Sequence, residues 1–162
     1  MTAPMTALAC LLLAAPAADP PADDTPADDT PEAKAAAFRE MLTDTVLTGR
    51  FSIDGKPETK AESYEIGAVT DQGGGVWAVA ARIAYGENDV TVPVILEVKW
   101  AGDTPVMVLD ELAIPGLGTF SARVLVHKTG DGPPRYAGTW QHDGVGGTLG
   151  GVIAKKTPAG EK

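Results

Sequence analysis

From residue 46 onward, apolar and polar residues alternate with a period of two, and the runs are separated by Gly, Pro, Asn and Asp. Successive side chains of a strand point to opposite faces of its sheet, so this alternation predicts strands that bury one face. We expect eight strands, at residues 46–54, 62–70, 76–86, 89–100, 105–114, 119–129, 135–142 and 147–155. The connections are too short for crossover helices, so consecutive strands should be antiparallel neighbours.

Two of the predicted hairpins can be aligned residue by residue. A two-residue turn at Glu87-Asn88 places apolar pairs on one face of the third and fourth strands: Tyr85/Val90, Ile83/Val92, Ala81/Val94, Val79/Leu96 and Trp77/Val98. A type I′ turn at Asp143-Gly144 places large residues opposite small ones in the last hairpin: Trp140/Gly147, Gly138/Leu149 and Tyr136/Gly151. An aromatic ring can lie over the opposing glycine, which suits the narrow interior of a small barrel.

The fold class that follows is all-β. Eight antiparallel strands in up-and-down order close most simply into a barrel, because closure removes the exposed edges; an eight-stranded β-sandwich is the alternative. Pro93 lies within the fourth strand and has no N–H for the ladder, so it indicates a bulge or an opening there. The register of the fifth and sixth strands stays open, since residues 106–109 are apolar on both faces.

A helical pattern precedes the strands. Thr30 is a suitable N-cap, Pro31 suits the first helical position, and Glu32 is an acid near the positive end of the dipole. Apolar residues then recur on one helical face, at Ala35, Phe38, Met41 and Leu42. The sequence predicts a short amphipathic helix over residues 32–45, docked across one end of a β domain over residues 46–156.

The N-terminal residues are typical of an exported protein. Residues 1–17 combine a short apolar stretch with small residues at Ala15 and Ala17, as in a secretory signal, although no Lys or Arg precedes that stretch. The stretch is too short to span roughly 30 Å of hydrocarbon as a helix, so we expect no transmembrane segment. Export to the periplasm or the exterior is the prediction. Modification of Cys10 as a lipoprotein is the alternative.

The net charge is divided unevenly between an N-terminal tether and the part of the chain that is expected to fold. The 162 residues carry a net charge of −9, of which residues 1–34 contribute −5. Residues 18–31 form an acidic, proline-rich linker that twice repeats Ala-Asp-Asp-Thr-Pro, and residues 157–162 form a short tail. The acidity argues against a nucleic-acid partner, whose phosphates would repel the chain.

The titratable residues form no convincing catalytic or metal constellation. His127 and His142 should lie on opposite faces and roughly 16 Å apart along the strands, so we expect no metal site and no cofactor. His142 and Asp143 should also point to opposite faces, with Asp143 acting as a turn residue. Alternation separates Asp110 from Glu111 unless a bulge intervenes. We therefore assign no catalytic residue, and a hydrolase or isomerase using His142 is the enzyme alternative.

The aromatic residues are the most informative set. Their predicted faces point inward, which favours either a filled core or an apolar pocket with a few polar groups. Phe51, Tyr64 and Phe120 belong to this inward set. The candidate ligand-binding residues are Trp77, Tyr85, Trp100, Tyr136, Trp140 and His142.

Several segments resemble known families. Residues 89–93, 98–105, 114–120 and 135–142 resemble an uncharacterised family of small exported bacterial β-proteins, which implies export and no known activity. The Ala-Gly-Thr-Trp segment at residues 137–140 is similar to the Gly-x-Trp motif of calycins, the lipocalin and avidin group. That resemblance implies an eight-stranded barrel with an interior small-molecule site. In calycins the motif lies on the first strand, whereas here it is on the seventh.

Together these patterns predict an exported, non-enzymatic β-barrel module. Its expected partner is a small apolar molecule held in an aromatic-lined interior. The alternative is a structural or protein-interaction domain with a filled core, whose unknown partner would bind an apolar outer patch around Ile95 or Leu125.

Overall fold

The computed structural model describes residues 29–85, 87–114, 118–128 and 130–157. The predicted signal peptide and Cys10 lie outside the described residues, as do most of the predicted linker and nearly all of the predicted tail. Within the described part of the chain, no helix is both long enough and apolar enough to span a membrane.

Eight antiparallel strands form a closed barrel in which each strand pairs with the next and the last pairs with the first. The strands are β1 (Thr45–Ser52), β2 (Thr59–Gly73), β3 (Val76–Tyr85), β4 (Asn88–Ala101), β5 (Thr104–Ile114), β6 (Gly118–His127), β7 (Arg135–His142) and β8 (Val145–Lys155). The predicted barrel is thus confirmed over the sandwich. Closure depends on the pairing of β8 with β1, from Thr45 opposite Lys155 to Phe51 opposite Leu149.

Helix α1 (Pro31–Leu42) covers one end of the barrel, here named the helix end. The side chain of Thr30 accepts a hydrogen bond from the backbone N–H of Ala33 at 3.1 Å, as an N-cap does. The helix ends three residues before the predicted boundary, because Asp44 has a φ of 52° and β1 begins at the next residue.

The apolar face of α1 plugs the helix end. Phe38 is fully buried, and its ring centroid lies 4.9 Å from that of Trp77 and 6.5 Å from that of Trp100, both edge-on. Leu42 is also buried and reaches the interior. Lys155 at the end of β8 donates to backbone oxygens of the last helical turn, where the helix dipole favours a cation. The opposite end, here named the far end, has no such cover among the described residues.

The register of β7 against β8 is the predicted one. Trp140 pairs with Gly147 and Tyr136 with Gly151. The turn residues Asp143 and Gly144 have φ values of 45° and 83°, as a type I′ turn requires.

The predicted register of β3 against β4 is wrong by two residues. Tyr85 pairs with Asn88, which is therefore a strand residue and not a turn residue, and Trp77 pairs with Leu96 rather than with Val98. A slip of two keeps every side chain on its predicted face, because the side-chain period of a strand is two.

The barrel wall is incomplete between β4 and β5. These strands pair over five positions, from Glu97 opposite Val108 to Ala101 opposite Thr104, whereas the other neighbouring strands pair over seven to ten. Residues 88–96 of β4 and 109–114 of β5 therefore form no ladder pairs with each other. Pro93 pairs with Ala80 of β3 but lies in the part of β4 that does not pair with β5.

A bulge directs β5 along β6 and away from β4. The register of β5 against β6 shifts between Leu109 and Leu112, and Glu111 in the bulge has a φ of 51°. Asp110 forms an exposed ion pair with Arg123 at 2.7 Å. The register that residues 106–109 had left open is therefore settled.

Candidate functional site

A cavity of about 750 Å³ runs through the barrel interior. It extends from Leu42 at the helix end to Glu87 and Val145 at the far end, and most of its lining is aliphatic or aromatic. Val94 of β4 and Leu109 of β5 line it where the wall is incomplete. The interior is thus a chamber with a mostly apolar lining. Its wall is interrupted at the far end, which α1 does not cover, and where β4 and β5 do not pair.

One carboxyl group lies inside this chamber. Glu62 of β2 is only 3% exposed and lines the cavity. Tyr136 donates its hydroxyl hydrogen to Glu62 Oε1 at 2.8 Å, and Tyr64 donates to Oε2 at 2.7 Å. Burial raises the pKa of Glu62, although the hydrogen bonds from both tyrosines oppose the rise. We refer to Glu62, Tyr64 and Tyr136 as the carboxyl cluster.

Two glycines allow Tyr136 to reach across the barrel. Gly151 lies opposite Tyr136 in β8, and Gly49 lies opposite Gly151 in β1. A Cβ on Gly49 would overlap the Tyr136 hydroxyl. The ring therefore crosses two strands that have no side chain at this level, and its hydroxyl meets Glu62 on the third. The predicted placement of an aromatic ring over a glycine is present here.

Trp140 crosses β8 in the same way, nearer the far end. It lies opposite Gly147, and its indole Nε1 donates to the backbone oxygen of Ser52 in β1 at 3.1 Å. Its ring packs edge-on against Phe51 with centroids 5.7 Å apart. Because this hydrogen bond holds the indole in place, the far part of the cavity has a rigid aromatic wall.

His142 lies at the rim of the cavity and stacks on Phe120, with centroids 4.1 Å apart and planes 10° from parallel. The prediction that His142 and Asp143 point apart is wrong, because Asp143 is in the turn and not in the strand. Asp143 Oδ2 lies 3.0 Å from His142 Nε2, but off the direction of a ring N–H, so no hydrogen bond forms. Gly118, with a φ of 91°, leaves the space that both groups occupy.

The other candidate residues lie elsewhere. Trp77 is buried and Trp100 is partly exposed, and both pack against the helix plug instead of lining the cavity. The backbone of Tyr85 is opposite Glu62, and its side chain is not among those described. Of the six residues proposed from sequence, three line the cavity: Tyr136, Trp140 and His142.

The described residues contain no group of three or more His, Cys, Asp or Glu side chains that could hold a metal ion. His127 is exposed at the helix end, on the opposite side of its strand from the cavity-lining Val124. Ile95 on β4 and Leu125 on β6, the predicted centres of an apolar outer patch, are 52% and 41% exposed. Strand β5 separates them.

Sequence reasoning did not select Glu62. Lys60, Glu62, Tyr64 and Ile66 share one face of β2, on which polarity falls toward the helix end. An acid at such a position is usually solvated. The alternation of apolar and polar residues does not show how deeply neighbouring strands bury its side chain. The sequence feature that could have pointed to Glu62 is the pairing of large residues with glycines in β7 and β8. That pairing shows that a tyrosine can reach beyond its neighbouring strand.

The raised pKa of Glu62 predicts a decrease in stability with rising pH. Above the ordinary value of 4.5, the unfolded chain releases the proton while the folded chain retains it, so the free energy of unfolding falls until pH passes the folded pKa. We expect Glu62→Gln to remove this decrease. The free energy of unfolding of the variant, relative to that of the wild type, should therefore rise between pH 4 and pH 7. Urea denaturation at several pH values measures it. Glu65→Gln, on the exposed face of β2, is the control, and equal pH dependence of both variants would contradict the prediction.

Comparison of the chain with protein-family models, with curated proteins and with solved structures finds no match.

Proposed function

We propose that the protein binds a small, largely apolar molecule inside the barrel and does not catalyse a reaction. The observation that carries this proposal is the cavity of about 750 Å³. Small-molecule sites are typically concave chambers of about 300–1,000 Å³ with an apolar lining and a few polar groups that fix orientation. The chamber fits that description in volume and in chemistry.

The polar groups are few and are held in place. The carboxyl cluster lies on one wall, and Trp140 is fixed by its hydrogen bond to β1. A ligand would therefore meet rigid polar atoms along one side of the cavity. On the other side, where β4 and β5 do not pair, it would meet aliphatic side chains. Such an arrangement supports binding in one orientation, since little side-chain freedom is lost on association.

The arrangement around His142 supports a binding role over an enzymatic one. A histidine general base needs a hydrogen-bonded partner that orients its ring. The Asp143 carboxylate is close to His142 but poorly aligned, and the ring instead stacks on Phe120. We infer that His142 forms part of the aromatic rim.

The sequence supports an exported setting for this binding module. The apolar N-terminal stretch and the acidic, proline-rich linker would place the barrel on a short extended tether after export. Ile95 and Leu125 are exposed on strands that β5 separates, so they are not cross-strand neighbours, and the interior cavity is the stronger support for a function.

Filling the cavity should abolish ligand binding. We expect the wild-type protein to enhance the fluorescence of Nile red, a neutral apolar dye, and Ala81→Phe to weaken that binding by at least about tenfold, since loss of about 1.4 kcal/mol suffices. Ala81 is buried and lines the cavity, so the added ring would occupy the ligand's space. Fluorescence titration measures both affinities.

The matched control is Ala80→Phe, at the adjacent exposed position of β3. Its dye affinity should equal that of the wild type. Thermal denaturation of each variant checks that it is folded, and Ala122→Phe on β6 provides a second cavity-filling variant. Equal dye binding by Ala80→Phe and both cavity variants would contradict an interior site, as would absence of any dye binding by the wild type.

A further inference from the structure

Glu62 is buried without a cationic partner in the part of the chain that the structure describes. Burying a carboxyl group without a compensating charge is costly, so such groups are commonly kept for a function. Glu62 also lines the cavity, so a ligand can reach it.

The cluster presents hydrogen-bond acceptors to the cavity. Both tyrosine hydroxyl hydrogens are directed at Glu62, one at each carboxylate oxygen. Each carboxylate oxygen can accept more than one hydrogen bond. A group with several donors and no acceptor therefore complements the cluster. A protonated amine, with up to three N–H donors, is such a group.

The charge of the lining favours the same ligand. Besides Glu62, the described lining residues that can carry charge are Lys60, Glu87 and His142, all toward the far end. Lys60 and Glu87 are exposed to solvent there. The described lining of the buried part of the chamber thus contains an acidic group and no basic one, and an ionised Glu62 would repel a carboxylate or phosphate head and attract an ammonium group.

We propose, resting on the binding function above, that the cavity selects molecules with a protonated amine on an apolar body, and that Glu62 is the counter-ion of that amine. The ammonium group donates to the carboxylate, while the apolar body lies against the aliphatic lining that continues past Glu62 to Leu47 and Leu42. Charge-assisted hydrogen bonds of this kind are stronger than neutral ones. The tyrosines position the carboxylate.

Three amphiphiles with the same chain test this selection: dodecylamine, dodecanol and dodecanoate, each below its micelle concentration and measured by displacement of Nile red at pH 7. We expect the amine to bind at least about tenfold more tightly than the alcohol, as one charge-assisted pair permits, and the carboxylate to bind most weakly. Glu62→Gln should remove the advantage of the amine and retain binding of the alcohol. Glu65→Gln, which removes an exposed carboxylate from the same strand, should retain the advantage.

The outcomes separate the two proposals. Equal affinity for the amine and the alcohol, or tighter binding of dodecanoate, would overturn the selection of amines and leave the binding function intact. Failure of the wild type to bind Nile red or any of the three would contradict the binding function itself. An amine advantage that persists in Glu62→Gln would place the counter-ion elsewhere and also overturn the proposal.

The wild-type protein provides a measurement that needs no variant at Glu62. The advantage of the amine over the alcohol should shrink between pH 7 and pH 4.5, because the carboxyl becomes protonated while the amine stays charged. The titratable or charged groups that line the same cavity are Lys60, Tyr64, Glu87, Tyr136 and His142. Because His142 also lines the cavity, His142→Gln is measured in parallel, and an advantage that is independent of pH in that variant would overturn the proposal.

Discussion

Gly151→Ala should lower the free energy of unfolding by about 3 kcal/mol, the cost of forcing extra volume into a closely packed site. The added Cβ would overlap the backbone oxygen of Thr48 and lie 2.6 Å from the Cα of Gly49. Backbone atoms cannot move aside by changing rotamer, so β8 would have to separate from β1. These are the strands whose pairing closes the barrel.

The same substitution should also disturb the carboxyl cluster. Tyr136 crosses Gly151 and Gly49 on its way to Glu62, so a displaced β8 would move the tyrosine hydroxyl away from the carboxyl group. Loss of one donor from a buried carboxyl adds to the cost of the backbone displacement. The effect on stability and the effect on the cavity therefore have one origin.

Urea denaturation followed by tryptophan fluorescence measures this loss. Gly67→Ala in β2 is the matched control, because a Cβ there would meet only Ala80, at an ordinary contact distance of 3.7 Å. Its effect should stay within about 0.5 kcal/mol, as for a surface substitution. Similar losses for the two variants would show that the close approach of β1 and β8 is not the cause.

Phe38→Ala should cost about 3–5 kcal/mol, the range for truncating a buried aromatic residue. Phe38 is fully buried between Trp77 and Trp100. Together with Leu42 it closes the helix end of the barrel, and we refer to these two side chains as the floor. Removing the ring leaves a void at the helix end and weakens the attachment of α1. We also expect the floor to open, so that an aqueous quencher such as acrylamide quenches tryptophan fluorescence more strongly.

Chemical denaturation and acrylamide quenching of the folded protein measure the two effects. Arg39→Ala is the control on the same helix, because Arg39 is exposed and its guanidinium lies 5.6 Å from the centroid of Trp77. Loss of that cation–π contact should cost only about 0.5–1 kcal/mol. If Phe38→Ala were no more harmful than Arg39→Ala, the helix would be a peripheral attachment and not the floor of the cavity.

The two hairpins show what the sequence could and could not determine. In β7 and β8, large residues alternate with glycines, so a slip of two would set Trp140 against Leu149, and the register is unique. In β3 and β4, nearly every inward residue is aliphatic, so a slip of two exchanges one acceptable partner for another. Differences in side-chain size, and not hydrophobicity alone, determine register.

The candidate site was predictable only in part for a related reason. Tyr136 and Trp140 could be identified because each faces a glycine, and His142 because it continues the same face. Glu62 could not, because its burial depends on a tyrosine from β7 that crosses two intervening strands. The contact of Asp143 with His142 was missed because turn residues do not follow the alternation of strands.

Residues 88–96 of β4 have no ladder partner in β5, so this side of β4 is a free strand edge. A free edge is a template on which a strand from another molecule can pair, and this is a route to aggregation. Pro93 lies in the part of β4 that does not pair with β5, and it offers an incoming strand no N–H donor. Pro93 therefore protects this free edge against pairing with a strand of another molecule.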